Sequence, residues 1–235
     1  RLYYGNNSKG LGGLGKIYFE NPSSYQITVY EKGNDVPKEM LSSVIYQIFP
    51  DRFYRSGKVD INNCGRVNGD IRVYENWNDI PSYNKNEKGD IVEWHFFGGD
   101  LYGVEEKLDY INELGADKIY LNPIFEAASN HRYDTANYKA VDPILGGDKA
   151  FDSLMKSCKE KGTDLILDGV FSHTGEDSIY FDHFGHYNQN GAYLNPESPY
   201  RSWYRFKHND DDYECWWNCK AFPNLENDGL FLSVG

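Results

Sequence analysis

The chain has 235 residues, enough to bury one sizeable core without disulfide or metal staples, which excludes a mini-protein. Acidic side chains outnumber basic ones 36 to 24, a formal charge of −12, so a phosphate backbone is repelled and nucleic acid is not expected as a partner. Aromatic residues reach 16% (20 Tyr, 13 Phe, 5 Trp), more than a core of this size ordinarily uses, and rings set among carboxylates suit a sugar ligand.

No apolar run approaches the ~20 residues needed to cross a bilayer, and the opening Arg1-Leu2-Tyr3-Tyr4-Gly5 has no charged-then-apolar targeting layout. A membrane partner is not expected, and localisation stays open between secreted and cytoplasmic. Because no initiator Met is present, the expectation is that Arg1 lies inside a longer gene product. Cys64, Cys158, Cys215 and Cys219 lack paired C-x-x-C spacing and read as plain, reduced thiols.

Residues 1–40 are rich in Tyr, Gly and Asn, with an alternating strand over 25–30, and look like the end of a β domain. Within them, Gly10-Leu11-Gly12-Gly13-Leu14-Gly15 matches the G-x-G-x-x-G dinucleotide fingerprint. That fingerprint needs a strand before it and a helix opening at its end. Here a turn, Asn6-Asn7-Ser8-Lys9, precedes it and the short strand Ile17-Tyr18-Phe19 follows, so a glycine-rich hairpin is expected instead. Asn6-Asn7-Ser8 also fits a glycosylation sequon, a pattern too common to weigh.

From Ser43 the character changes. Val44-Ile45-Tyr46-Gln47-Ile48-Phe49 reads as strand one, buried on both faces. A helix over 103–114 places Val104, Leu108, Ile111 and Leu114 on one face and stops at Gly115. Strand two covers 118–121. A second helix opens near Asp148, is lined by Phe151, Leu154, Met155 and Cys158, and ends at Gly162. Strand three covers 164–171. The order β-α-β-α-β predicts a parallel sheet with right-handed crossovers. Each helix returns through a link of two or three residues while each strand leaves through a long segment, so the elaboration sits at the carboxyl ends of the strands, where parallel α/β folds place their sites.

Two strand exits gather chemistry. Strand three leaves through Asp168-Gly169-Val170-Phe171-Ser172-His173, and an acid in so apolar a strand needs a partner. After strand two, the loop 123–135 brings together His131, Arg132, Tyr133 and Asp134; taken alone, such a polar loop is as readily solvated as functional.

The segments Ile45-Tyr46-Gln47-Ile48-Phe49-Pro50-Asp51-Arg52-Phe53, Phe97-Gly98-Gly99-Asp100-Leu101, Asn130-His131-Arg132-Tyr133-Asp134-Thr135 and 168–173 resemble, in this order, the α-amylase superfamily of glycosidases. The likeness is greatest to its neopullulanase, cyclomaltodextrinase and maltogenic amylase branch, and it extends through Trp216-Trp217 and Pro223-Asn224. The resemblance implies an α/β fold: the first three strands of a (β/α)8 TIM barrel over 41–171, an inserted domain B over 172–225, and the start of a further element over 226–235. The end of a β-sandwich would lie before them, over 1–40. It implies activity on α-1,4 and α-1,6 glucans such as starch, maltodextrin, cyclodextrin and pullulan. It also implies a homodimer in the full-length protein.

By the same resemblance, Tyr133 is the ring stacking under the glucose beside the scissile bond, His173 bonds that sugar's primary hydroxyl, and Asp168 braces the site without being the nucleophile. The retaining reaction needs a carboxylate nucleophile and a carboxylic acid ~5 Å apart. In the family these lie on strands four and five, and no Gly-x-Arg-x-Asp segment follows Phe171 here. The expectation is therefore a piece of a longer enzyme, inactive by itself, with no catalytic carboxylate among its residues. A non-catalytic carbohydrate-binding module is the alternative. Calcium is a further expectation: Asn62, Asn63, Gly98 and Asp100 fall near the family's calcium loop and Gly-Gly-Asp turn, although the Asn-Asp spacing differs and Asp100 fits a helix cap as well. Ser172 stands where many relatives carry a calcium-binding asparagine.

Overall fold

The structure is a computed structural model that describes residues 1–7, 9, 13–25, 29, 36–64, 71–82, 84–87 and 91–226, with Asn63 described by its backbone alone. It forms two compact units, Arg1–Ser42 and Ser43–Gly235.

In the first unit β1 (Tyr3–Gly5) pairs antiparallel with β2 (Lys16–Tyr18), Tyr3 opposite Tyr18. The glycine run thus connects two paired strands and opens no helix, although Gly10 to Gly12 lie outside the described residues. A Cβ on Gly15 would stand 2.4 Å from the Gly5 carbonyl oxygen, so the glycine serves a close backbone approach. Most of the strand expected over 25–30 lies outside the described residues. A single helical turn, α1 (Lys38–Leu41), closes the unit.

The second unit is built on three parallel strands, β3 (Ile45–Ile48), β7 (Lys118–Leu121) and β10 (Asp164–Leu167), in the order β10-β7-β3. Between β3 and β7, strands β4 (Ile71–Val73), β5 (Asn84–Lys85) and β6 (Ile91–Phe96) form a separate small sheet. Then α2 (Leu101–Glu106) and α3 (Leu108–Glu113) run back to β7. Between β7 and β10 come an antiparallel hairpin, β8 (Phe125–Ala127) with β9 (Thr135–Val141), and the long helix α4 (Gly147–Lys161).

Leu101, Val104, Leu108 and Ile111 of the helices bury completely against Ile119 and Leu121 of the central strand, each side chain contributing about 1.5–3 kcal/mol. Leu114 departs from the expected face and is exposed: α3 ends at Glu113, and the turn into β7 at Gly115 (φ +86°) carries Leu114 to the surface. Likewise α4 buries Ala150, Leu154 and Cys158, an i, i+4, i+8 row that leaves Met155 on its flank, exposed. Gly162 (φ +69°) ends α4 as expected.

Strand one is a second correction. It is not buried on both faces: Val44 and Ile45 are exposed because β3 is an edge strand, with β7 its one neighbour among the described residues. Strand three stops at Leu167, four residues short of expectation. The Asp168 amide still donates to the Leu121 carbonyl at 3.2 Å. Two residues on, β7 meets Pro123, whose missing N–H cannot carry a ladder further. No helix among the described residues is long and apolar enough to cross a membrane.

After β10 the chain runs in short turns and isolated bridges around Tyr180, Phe181, Tyr204 and Tyr213, all buried. Most of this segment's rings pack on one another. Trp217 stacks on Trp216 yet stays 84% exposed.

Candidate functional site

The loop from Ala128 to Asp134 is the tip of the β8–β9 hairpin, so β8 and β9 fix where it stands. Its shape is set by its own polar side chains. Asp134 accepts from the Ser129 amide at 3.0 Å and from the Ser129 hydroxyl, and that hydroxyl accepts from the Arg132 amide at 2.9 Å. Arg132 takes φ +60° and is completely buried: its Nε donates to Asp142 at 2.7 Å and its Nη1 to the Asn130 carbonyl at 2.8 Å. Asn130 in turn donates to the His95 carbonyl at 2.7 Å, and Trp94 meets the His131 ring edge-on, centroids 5.5 Å apart. Strand β6 therefore props the loop from outside, a support that no sequence spacing announces.

Held this way, Tyr133 projects across the exits of the parallel strands and its hydroxyl donates to Asp168 Oδ2 at 2.9 Å. Burial, and then this hydrogen bond, push the Tyr133 hydroxyl up to about 12, so it is a donor at any ordinary pH. Tyr120 of β7 is raised by burial and by the same carboxylate, which places two phenols about Asp168. His173 lies on the other side: its Nε2 donates to the Tyr133 carbonyl at 3.0 Å, and the Ser172 hydroxyl faces Nδ1 at 3.1 Å. A carbonyl can only accept, so the proton sits on Nε2 and Nδ1 is left as an acceptor.

Pro223 and Asn224 run antiparallel beside Ser172 to Thr174, the Thr174 amide donating to the Pro223 carbonyl at 3.1 Å. This pairing sets Trp216 and Phe222 against His173, with ring centroids 5.7 and 5.1 Å away. Tyr133, Asp168 and His173 thus come together from three segments. Tyr133 and Asp168 are half-buried and His173 is buried.

Of the four residues expected near calcium, Asn62, Gly98 and Asp100 are described with their surroundings, and Asn63 by its backbone alone. Asp100 caps α2, accepting from the Gly103 amide at 2.8 Å through one oxygen and from the Ser56 amide and hydroxyl at 3.0 and 2.9 Å through the other. Gly98 turns at φ +75° with its amide bonded to Asp51, and Asn62 is exposed. Among the described residues no group of three His, Cys, Asp or Glu side chains is placed to hold a metal ion. Both carboxylate oxygens of Asp100 are thus engaged in capping α2 and holding Ser56.

Burial holds both His173 and His131 below the ordinary imidazole value; the Tyr133 carbonyl and Asp134 offset this in part at His173, and Asp134 does so at His131. The unfolded chain, with histidines near 6.5, therefore binds more protons just below that pH, and stability rises with pH through the window between the folded values and 6.5. Urea unfolding is expected to show stability falling as pH drops below about 6.5, with a flatter profile in the His131→Gln/His173→Gln variant. Equal slopes in the two proteins would contradict the assignment.

Compared with known proteins, residues 47–226 match the family described as alpha amylase, catalytic domain. An amylopullulanase of Thermoanaerobacterium saccharolyticum is 43% identical over 96% of this chain and 19% of its own length. An intracellular maltogenic amylase of Bacillus subtilis is 34% identical over 84% of this chain and 29% of its own. Among solved structures, the ligand-free cyclic alpha-maltosyl-(1→6)-maltose hydrolase of Arthrobacter globiformis superposes with a TM-score of 0.63 at 29% identity, covering 82% of this chain and 39% of that one. The chain spans less than a third of the length of the curated relatives it matches.

Proposed function

Because the chain belongs to the α-amylase family of glycosidases, we propose that it forms the glucosyl-binding wall of an enzyme that hydrolyses α-1,4 and α-1,6 glucans with retention. In this reading β3, β7 and β10 are the first three strands of an eight-stranded barrel, residues 172–225 are its inserted domain, and the first unit is the end of a β-sandwich.

The observation that carries the proposal is the interlock of Tyr133, Asp168 and His173 at the strand exits. The Tyr133 ring offers a flat apolar face to the C–H side of a pyranose, the kind of contact aromatic side chains make best. Asp168 holds that ring in orientation through the phenol, and so acts as a brace and not as the attacking group. His173 Nδ1 is an acceptor that, among the described residues, faces the Ser172 hydroxyl, and a sugar hydroxyl displacing it would donate there. The same carboxylate-braced ring serves a binding module equally well, so chemistry rests on acids contributed by other sequence.

Titration of maltotriose against the chain, followed by calorimetry, tests the wall. Tyr133→Ala is expected to weaken binding at least roughly tenfold, about 1.4 kcal/mol, with the melting curve kept. Equal affinity in the variant and the parent would overturn the reading.

A further inference from the structure

Among the polar contacts that shape the loop 128–134, those of His131 cannot all be satisfied by one protonation state. The Tyr133 amide donates to His131 Nδ1 at 3.1 Å, a bond that needs a lone pair on that nitrogen. The Ser129 hydroxyl lies 2.9 Å from the same atom. A hydroxyl owns one hydrogen, and Ser129 gives it to Asp134 Oδ1, where the carboxylate charge strengthens the bond. Toward His131 it therefore shows a lone pair, whose favourable partner is an N–H.

Nδ1 thus serves Tyr133 without a proton and Ser129 with one. Its ring is held in place from two sides: Trp94 of β6 meets it edge-on, planes 89° apart, and the Tyr133 ring lies against it, centroids 5.9 Å apart. The charges that act on it come from its own loop. Asp134 Oδ1 stands 3.8 Å from Nδ1 and favours an added proton, whereas burial and Arg132 oppose it; β6 faces the ring with an uncharged indole. The side chain is 35% exposed, so water can deliver that proton.

We propose that His131 is a positioning residue that fixes Tyr133 through its main-chain amide and releases it on protonation, so that the grip on a glucosyl unit weakens in acid. The inference rests on the function proposed above. With the neutral ring carrying its hydrogen on Nε2, the amide bond anchors the backbone of the very residue whose ring meets the sugar. A proton entering at Nδ1 donates to Ser129 Oγ instead, and the Tyr133 N–H is then opposed by another N–H. Because His131 titrates below the ordinary 6.5, the amide bond is present at neutral pH and lost as pH falls through the lower folded value. His173 does not imitate this: its Nε2 keeps its hydrogen in both protonation states, so its bond to the Tyr133 carbonyl survives its own titration.

The experiment follows the 15N-labelled chain by NMR from about pH 8 to about pH 5, across the histidine range, and measures maltotriose affinity by calorimetry over the same span. Neutral His131 should carry its hydrogen on Nε2. The Tyr133 amide signal should shift with the midpoint of the His131 ring, and its protection from hydrogen exchange should drop roughly three- to tenfold below that midpoint. In His131→Gln, whose side-chain oxygen accepts from Tyr133 at every pH, the amide should not titrate. Affinity in the parent should fall roughly three- to tenfold further toward acid than in this variant. A neutral His131 with its hydrogen on Nδ1 overturns the proposal. So does a Tyr133 amide indifferent to His131 titration, or an affinity whose pH slope is the same in both proteins, which is what a purely structural role predicts. Tyr133→Ala separates the two ideas: if it binds maltotriose as the parent does, the glucosyl wall fails, while the amide titration still decides whether His131 holds Tyr133.

Discussion

Replacing Arg132 by methionine is expected to cost about 3–5 kcal/mol of folding stability, the largest single loss the described side chains predict. Arg132 is the bulkiest fully buried side chain of the structure, and its Nε–Asp142 contact of 2.7 Å joins two groups that both lie out of water. Forming such a pair gains little over a well-packed apolar core, since desolvation offsets most of the attraction. Breaking it on one side is different, because Asp142 is then left charged and buried. The bond it keeps from the Ile144 amide, to Oδ1 at 2.9 Å, serves the turn that leads into α4 and does not neutralise it. At roughly 2–4 °C per kcal/mol for a chain of this size, the melting point should fall by about 6–20 °C. The double variant Arg132→Met/Asp142→Leu should recover much of the loss by removing the stranded charge. A single variant within about 0.5 kcal/mol of the parent, the range of an ordinary surface change, would contradict the account.

The largest expected effect on activity is its absence. The chain by itself should release no sustained reducing sugar from starch, pullulan or cyclodextrin, since loss of catalytic groups that act as a unit costs on the order of a millionfold in turnover. The carboxylates nearest the strand exits are engaged in bracing the fold. Asp134 is bound by Ser129, Asp168 by Tyr133, and Asp142 by Arg132. In the Asp210-Asp211-Asp212 run, Asp210 pairs with Arg201 and Asp211 accepts from Tyr193 on the exposed side of the packed rings. These named carboxylates are held by their partners, whereas the reaction asks for one to attack an anomeric carbon while a protonated acid ~5 Å away serves the leaving oxygen. Continued release of reducing ends by pure protein of verified length would contradict this.

The parts of the fold that could be read in the sequence are those with local causes. Lys118 to Leu121 is a short apolar run between turn signals and becomes the central strand; α4 closes at the glycine its spacing pointed to. What was misread depends on neighbours. Ile45 looks like a residue of a strand covered on both faces, yet its exposure is decided by standing at a sheet edge. Leu114 and Met155 keep the right spacing for an apolar face, but where the helix stops and how it is rotated on the sheet decide which side is covered. The site divides the same way. Tyr133, Asp168 and His173 stand out in the sequence as candidates because each falls in a recognisable segment. Their mutual contacts, the burial of Arg132 and the support of Asn130 by His95 span up to 40 positions and carry no local pattern. Trp217 was legible as a ring, but only its left-handed backbone and open face set it apart from the packed rings around it.

A crystal structure of the chain with maltotriose probes most directly whether the strand exits cradle a glucosyl unit. A pyranose lying flat on the Tyr133 ring, with a hydroxyl within hydrogen-bond distance of His173 Nδ1 and the Tyr133–Asp168 contact intact, is the predicted result. Sugar bound away from Tyr133, with His173 Nδ1 still facing Ser172 alone, would contradict it.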